Sequence, residues 1–319
     1  MKGLILIFTL MISSLSHAWE PTKPVNVIIG MSPGSAMDNA FRIVSAQVEK
    51  NTGVKFVPVY RPGAGGTIAV DAATKAEPDG HTMLTATQAG MAATDRMVVP
   101  NKTFGPSDFV FATAYASSTM SIIAHPSDPV NSIQDLVKAL KNEKTTVGDP
   151  GAGARLTYEI LRANIGFEES NDRVARVDYK GPNDTVLDVM AKNVRFGIVP
   201  LAASAQQHIG GKVKIIALTR ETPSPTFPTI PLMNSVYPSV VFNLTWAAAL
   251  PKNTPAPVVE WYTREFNKAS QNKEVQQALA ANFFFVDKKL MTSKEITAKI
   301  FSDQNKYEPL VNRILDQRK

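Results

Sequence analysis

Gly30-Met-Ser-Pro-Gly34 has the G-x-S-x-G spacing of a nucleophile elbow, in which a serine on a tight strand-to-helix turn attacks an acyl carbon. That chemistry needs an oxyanion hole, part of which is the backbone N–H of the residue after the serine. Here that residue is Pro33, which has no N–H. Beyond residue 18 the histidines are His81, His125 and His208, and no spacing marks one of them as a base for Ser32. The glycine-rich stretch Arg61-Pro-Gly-Ala-Gly-Gly-Thr67 sits where phosphate loops sit, between a strand-like and a helix-like run. It fails both nucleotide templates. The third glycine of G-x-G-x-x-G is replaced by Ile68, and no lysine follows Gly66 as a P-loop requires. Its glycines read instead as a tight turn that needs φ > 0 and close packing. Metal chemistry has no support, because there is no H-E-x-x-H, no paired histidine and no cysteine.

Two plainer loops are better placed to hold an anion. Met31, Ser32, Ser35, Ala36, Met37 and Asp38 join the first strand to the first helix, and Gly151, Ala152, Gly153 and Arg155 occupy the same place in a second α/β series. The N-terminus of a helix presents unpaired N–H groups and the positive end of the helix dipole, both of which favour a carboxylate. Ser32 and Ser35 add hydroxyls, Arg155 adds a guanidinium suited to a carboxylate, and Asp38 can accept from a ligand amine or hydroxyl. Ser35 and Asp38 read equally as ordinary helix capping residues, and Arg155 as a solvated helix residue. Thr85, Gln88 and Tyr179 fall at strand ends, where they would discriminate the rest of a ligand or simply pack.

The elements that position these residues alternate strand and helix. Strands are expected over 25–29, 55–60 and 81–86, with helices over 38–49 and 67–76 between them. This βαβαβ order implies a mostly parallel sheet with right-handed crossovers. A second series starts near residue 121, with strands over 121–124, 145–148, 173–179, 194–199 and 213–218. Its helices open at Ser132, after the 149–154 loop, and over 183–191 and 202–209. Residues 223–238 are proline-rich and read as a surface connection, and the apolar run 240–250 returns the chain to the first unit. Helices follow over 255–270 and 273–282, and the capping box Thr292-Ser-Lys-Glu295 opens another through about residue 307. The second unit is thus inserted into the first: residues 19–120 and 240–319 form lobe 1 and residues 121–239 form lobe 2. A cleft between two such units is a preferred small-molecule site.

Composition narrows the class. Residues 1–18 carry one charge, Lys2, ahead of an apolar run and a Ser-His-Ala cleavage pattern, which reads as a secretory signal peptide. No later apolar run has the ~20 residues that span a bilayer. Cysteine is absent, so neither a disulfide framework nor a lipid-carrying cysteine is available. The net charge of +6 is scattered rather than gathered into the basic stripe that nucleic acids require. A periplasmic, monomeric protein with no nucleic-acid partner and no cofactor is expected.

Several segments together resemble the Bug-type receptors, the periplasmic solute-binding components of tripartite tricarboxylate transporters. They are Met31-Ser-Pro-Gly-Ser-Ala-Met-Asp38, Arg61-Pro-Gly-Ala-Gly-Gly-Thr-Ile68, Glu77-Pro-Asp-Gly-His-Thr-Met-Leu84, Val177-Asp-Tyr-Lys-Gly181, Ala217-Leu-Thr-Arg220 and Phe227-Pro-Thr-Ile-Pro231. The resemblance implies an α/β, type II periplasmic-binding-protein (Venus-flytrap) fold, with two α/β lobes joined by two crossing strands. It implies no catalysis. A small carboxylate would be held between the lobes by the 31–38 and 148–155 loops and delivered to a permease of one large and one small subunit in the inner membrane of a Gram-negative cell. Departures from the family's pattern fall in those loops and at two positions beyond them. Met31 stands at an aromatic position, Ser35 at a usual glycine, Ala152 at a usual hydroxyl and Arg155 at a usual histidine, while Arg195 and Val199 replace polar or acidic residues. Met31 and Met37 would suit a flexible apolar or aromatic body. The alternatives are a sensor of the same fold acting on a signalling partner, and a periplasmic serine hydrolase using Ser32.

Overall fold

The computed structural model describes residues 19–166, 173–179, 181–286 and 291–316. The signal-peptide reading of residues 1–18 lies outside them. The first series is β1 (Val25–Ile29), α1 (Ala36–Thr52), β2 (Phe56–Tyr60), α2 (Thr67–Thr74) and β3 (Thr82–Thr87). A π-helical turn, Gly90–Thr94, and a short helix α3 (Asp95–Val98) lead to β4 (Phe109–Ala124). The second series is α4 (Ile133–Asn142), β5 (Thr145–Asp149), α5 (Ala152–Ile165), β6 (Val174–Asp178), α6 (Pro182–Met190), β7 (Phe196–Pro200), α7 (Leu201–Ile209) and β8 (Lys214–Leu218). Then come β9 (Asn243–Pro251), α8 (Ala256–Gln271), α9 (Lys273–Ala281) and α10 (Ser293–Asp316).

The strand order is β2-β1-β3-β9-β4-β7-β5-β6, with β8 also on β4. Pairing is parallel among β1, β2 and β3 and among β5, β6 and β7, as βαβ units require. It is antiparallel wherever β4 or β9 takes part. β4 is the strand that makes two lobes out of one sheet. Phe109 to Thr119 runs against β9, while Met120 to Ala124 runs against β7 and β8. Thr219 fastens the crossover. Its Oγ1 accepts from the Met120 N–H at 3.2 Å and donates to the Phe242 carbonyl at 2.6 Å, and its own N–H donates to the Met120 carbonyl.

Local sequence explains most elements. α1 buries Met37, Ala40, Phe41, Val44 and Val48 on one face; Ser35 caps its start, and Gly53, at φ 78°, lets its last turn close on Glu49. Removing Phe41, which is 1% exposed, from water is worth about 2–3 kcal/mol. β4 starts at Phe109, well before the residue 121 expected from sequence. Its small Ala, Ser and Thr residues are buried on both faces, so no period-2 signal exists to be read. α10 runs past the expected residue 307 and through Pro309, which deletes one helical hydrogen bond. Tertiary packing carries it on. Ile296 and Ile300 lie in the core with Leu84 and Phe111, while Tyr307, Val311 and Ile314 lie in the core shared by Met120, Leu156 and Phe196. The 61–67 stretch is the tight turn its glycines indicate: Gly63, Ala64, Gly65 and Gly66 all have φ between 46° and 128°. A Cβ on Gly30 would come within 3.0 Å of the Gly66 Cα, so the first two strand–helix loops pack backbone to backbone.

A buried ion pair sits between β3 and β4. The Asp95 and Lys102 side chains are 4% and 6% exposed and lie 3.5 Å apart. Burial raises the Asp95 carboxyl to about 6 against the pull of Lys102, whose own pKa burial lowers. A carboxyl raised in the folded state stabilises the fold fully below its unfolded pKa near 4, and that contribution is lost as pH rises through about 6. The stability advantage of wild type over Asp95→Asn is therefore expected to fall by on the order of 2 kcal/mol between about pH 4 and 7. Urea denaturation at a series of pH values measures it; a flat difference would contradict the burial argument.

Candidate functional site

Strand register brings the two candidate loops toward one place. Ile29, the last residue of β1, pairs with Thr85, and Thr87 at the end of β3 pairs with Trp246 near the start of β9. In the other half, Gly148 on β5 pairs with Gly197, and Pro200 at the end of β7 pairs with Met120. The carboxyl ends of both parallel sets thus approach the Thr119–Met120 crossover from opposite sides. Crevices outside such strand ends are where open α/β sheets bind ligands.

The 31–38 loop is built around Asp38. This carboxylate, on a residue 1% exposed, accepts from the Gly34 N–H at 2.8 Å, from Arg42 Nε at 3.0 Å and from the Tyr60 hydroxyl at 3.0 Å. Arg42 Nη2 also donates to the Tyr60 hydroxyl at 2.6 Å, and bonding to Tyr60 and Asp38 raises the Arg42 pKa. Asp38 therefore shapes the loop from beneath. Ser35 does the same from its end, its Oγ accepting from the Asp38 N–H. Met37 and Thr85 are buried together, with the Thr85 Oγ1 3.2 Å from the Met37 sulfur and also donating to the Ile28 carbonyl. Met31 and Ser32 are left on the exposed crest. The Ser35 side chain caps only the third helical amide, so among the described residues the Ala36 and Met37 amides have no protein acceptor.

The second loop is braced in a similar way by Asp149. Its Oδ1 accepts from the Gly151 N–H at 3.0 Å, its Oδ2 from Arg155 Nε at 2.7 Å, and its carbonyl from the Tyr179 N–H. Arg155 Nη2 donates to Asp178 at 3.0 Å. Burial pulls the Arg155 pKa down, but the bond to Asp149 and the charges of Asp149 and Asp178 lift it above its ordinary value. Its guanidinium is engaged by two carboxylates. The helix cap is Gly151, at φ 133°, which has no side chain to offer. Among the described residues, the amides of Gly153 and Ala154 therefore lack protein acceptors. Gly153 lies against Leu244 at the start of β9, where a Cβ would meet that side chain at 3.0 Å.

The remaining expected residues are engaged elsewhere. The Tyr179 ring lies against Gly148 and its hydroxyl donates to Asp188 at 2.7 Å; burial, then Asp188, pushes this phenol up to about 12. Gln88 turns to α10, where its amide donates to Asp303. Arg195, at the opposite end of β7 from the crossover, is paired with Asp128 and Glu143. Among the described residues, Ser32 has no histidine at hand. His81 precedes β3 at the far end of the strand and is tied to Asp79 and Thr22. His125 bonds Ser127, and His208 lies against Val213 and Ile215. Sequence reasoning missed Asp149, Arg42 and Tyr60, which carry no motif of their own. It also missed Thr219, although Ala217-Leu-Thr-Arg220 had drawn attention.

Residues 40–315 match the model of the tripartite tricarboxylate transporter family receptor. The chain belongs to that family. Its members are solute-binding receptors rather than enzymes, which leaves Ser32 without a nucleophilic role. A UPF0065 protein from Pseudomonas sp. strain P51 is 28% identical over 263 residues, covering 81% of this chain and 77% of its own. The solved structure of the periplasmic binding protein BugD superposes with a TM-score of 0.78 at 24% identity, over 92% of this chain and 98% of its own. MatC from Rhodopseudomonas palustris, solved with bound malate, gives 0.79 at 17% identity over 92% and 100%. These likenesses establish the two-lobed periplasmic-binding-protein fold. No described helix of this receptor is long and apolar enough to cross a membrane.

Proposed function

We propose that this receptor captures a small carboxylate between its lobes in the periplasm and delivers it to a tripartite tricarboxylate-type permease of large and small subunits. One observation carries the reading: two helix N-termini, each with amides lacking protein acceptors, lie at the strand ends that approach one crossover. The carboxylate is held by the amides of Ala36 and Met37 from lobe 1 and of Ala152, Gly153 and Ala154 from lobe 2. Two partial helix dipoles reinforce those bonds. Ser32 adds a hydroxyl, and the Tyr179 ring, which lies against Gly148, flanks the ligand's body. Asp38, Ser35, Thr85 and Arg155 act one step back, by holding the loops in shape. Lobe 1 comprises residues 19–120 and 240–319 and lobe 2 residues 121–239, with the last turns of α10 laid across onto lobe 2. The bound acid touches both lobes only when they close, so its greater affinity for the closed form shifts the hinge equilibrium about Thr219. Family membership and the malate bound by MatC support the ligand class. A thermal-shift screen of mono- and dicarboxylates tests it. At a hundred dissociation constants a true ligand adds about 2.7 kcal/mol of stability. Stabilisation only by non-acidic compounds would overturn the proposal.

A further inference from the structure

Two methionines stand in the 31–38 loop in opposite settings. Met37 is 7% exposed, with its sulfur 3.2 Å from the Thr85 hydroxyl. Met31 is 40% exposed at the crest, and among the described residues it is the sole exposed methionine. Met83, Met91, Met97, Met120 and Met233 are at most 2% exposed. Met190 and Met291 are half-buried, and since thioether oxidation follows access, Met31 is the most accessible of the described methionines. The loop beneath it holds the amides of Ala36 and Met37 without protein acceptors. A thioether is a weak acceptor and leaves such amides to a ligand, whereas a sulfoxide oxygen is a strong one.

We propose that Met31 is an oxidation site whose sulfoxide occupies the loop's free amides and thereby switches off carboxylate capture. This rests on the carboxylate reading of the same loop. The chemistry requires a peroxide. The Met31 sulfur lone pair attacks one peroxide oxygen, the O–O bond breaks and the sulfur is oxidised. The departing oxygen takes up a proton, so that hydrogen peroxide leaves as water. The product side chain is polar and carries its oxygen on a flexible four-atom arm that starts within the loop. Reduction by a methionine sulfoxide reductase restores the thioether and the empty amides. Asp38, Arg42 and Tyr60 hold the loop's frame from below and are unaffected by the change, so the switch acts on the donors rather than on folding.

Graded hydrogen peroxide treatment of the receptor without residues 1–18, with wild type and Met31→Leu in parallel, tests this. Peptide mapping is expected to show sulfoxide at Met31 before any at Met37, Met83 or Met120; simultaneous oxidation of all four would overturn the site. Amide hydrogen exchange at Ala36 and Met37 is expected to slow in oxidised wild type and to stay unchanged in treated Met31→Leu. Unslowed exchange in a fully Met31-oxidised sample would overturn the acceptor role. The thermal shift given by malate is expected to vanish in oxidised wild type and persist in treated Met31→Leu; its persistence in oxidised wild type would overturn the switch. If malate and adipate both fail to shift the untreated protein, the carboxylate reading and the switch fall together. Mapping and exchange would still decide separately whether Met31 is the oxidised residue and whether its sulfoxide takes the amides.

Discussion

Asp38→Ala should cost the receptor about 2–3 kcal/mol of folding stability and abolish ligand binding. The carboxylate it removes accepts from Gly34 N, Arg42 Nε and Tyr60 OH, and no neighbouring side chain can replace it. The Arg42 side chain is 54% exposed and can re-solvate, which keeps the stability loss below that of a fully buried pair. The Gly34 amide and the Tyr60 hydroxyl lose an anchor that fixes the loop, so the positions of the Ala36 and Met37 amides become variable. Preorganised donors bind because they need no ordering when the ligand arrives, and this variability removes that advantage. Asp38→Asn keeps one acceptor oxygen and should lose less on both counts. Urea denaturation and calorimetric titration with malate give the two numbers. Unchanged binding in Asp38→Ala would mean that the 31–38 loop does not hold the ligand.

Proline at either helix start should weaken carboxylate binding about tenfold to a hundredfold while leaving the fold intact. Ala36 and Ala152 are the first helical residues of α1 and α5, the position where proline fits best and where its missing N–H breaks no helical bond. The residues before them accept a following proline: Ser35 is extended at φ −64°, ψ 163°, and Gly151, at φ 133°, ψ −171°, has no Cβ to clash. Each substitution therefore deletes one donor from the proposed site. A hydrogen bond to a charged group is worth about 1.5–3 kcal/mol, and 1.4 kcal/mol is a tenfold change in affinity. A melting temperature within a few degrees of wild type, with weakened binding, is the expected pair of results. Unaltered affinity in both variants would remove the helix amides from the account.

Much of the fold was legible because its signals are local. Ser35, Ser132 and Thr292 stand at helix starts and cap them, and the apolar spacing of α1 predicted its buried face. The long crossing strand was not legible, since Ala112, Thr113, Ala116, Ser117 and Ser118 are small, lie on both faces and are all buried, so they carry no alternation. The continuation of α10 past Pro309 depends on contacts with distant residues such as Leu156, which no local pattern encodes. Sequence named both candidate loops but not the contacts within them. Arg155 and Asp38 carry the charges that suggest ligand contact. Asp178 and Tyr60 come from other elements, and Arg42 and Asp149 meet their partners through the local turn of a helix or loop that no motif marks, so only the structure shows that those charges are already engaged. Met37 and Thr85 are likewise taken by each other. What sequence offered as reactive side chains the structure presents mainly as supports for backbone amides.

Calorimetric titration of the receptor with malate and adipate, each beside its uncharged diamide, tests the central claim most directly. Backbone amides and helix dipoles select a carboxylate anion over a neutral isostere. At least one diacid should bind with a dissociation constant in the micromolar range or below, and its diamide should show no heat at the same concentrations. A diamide that binds as tightly as its diacid would contradict the account.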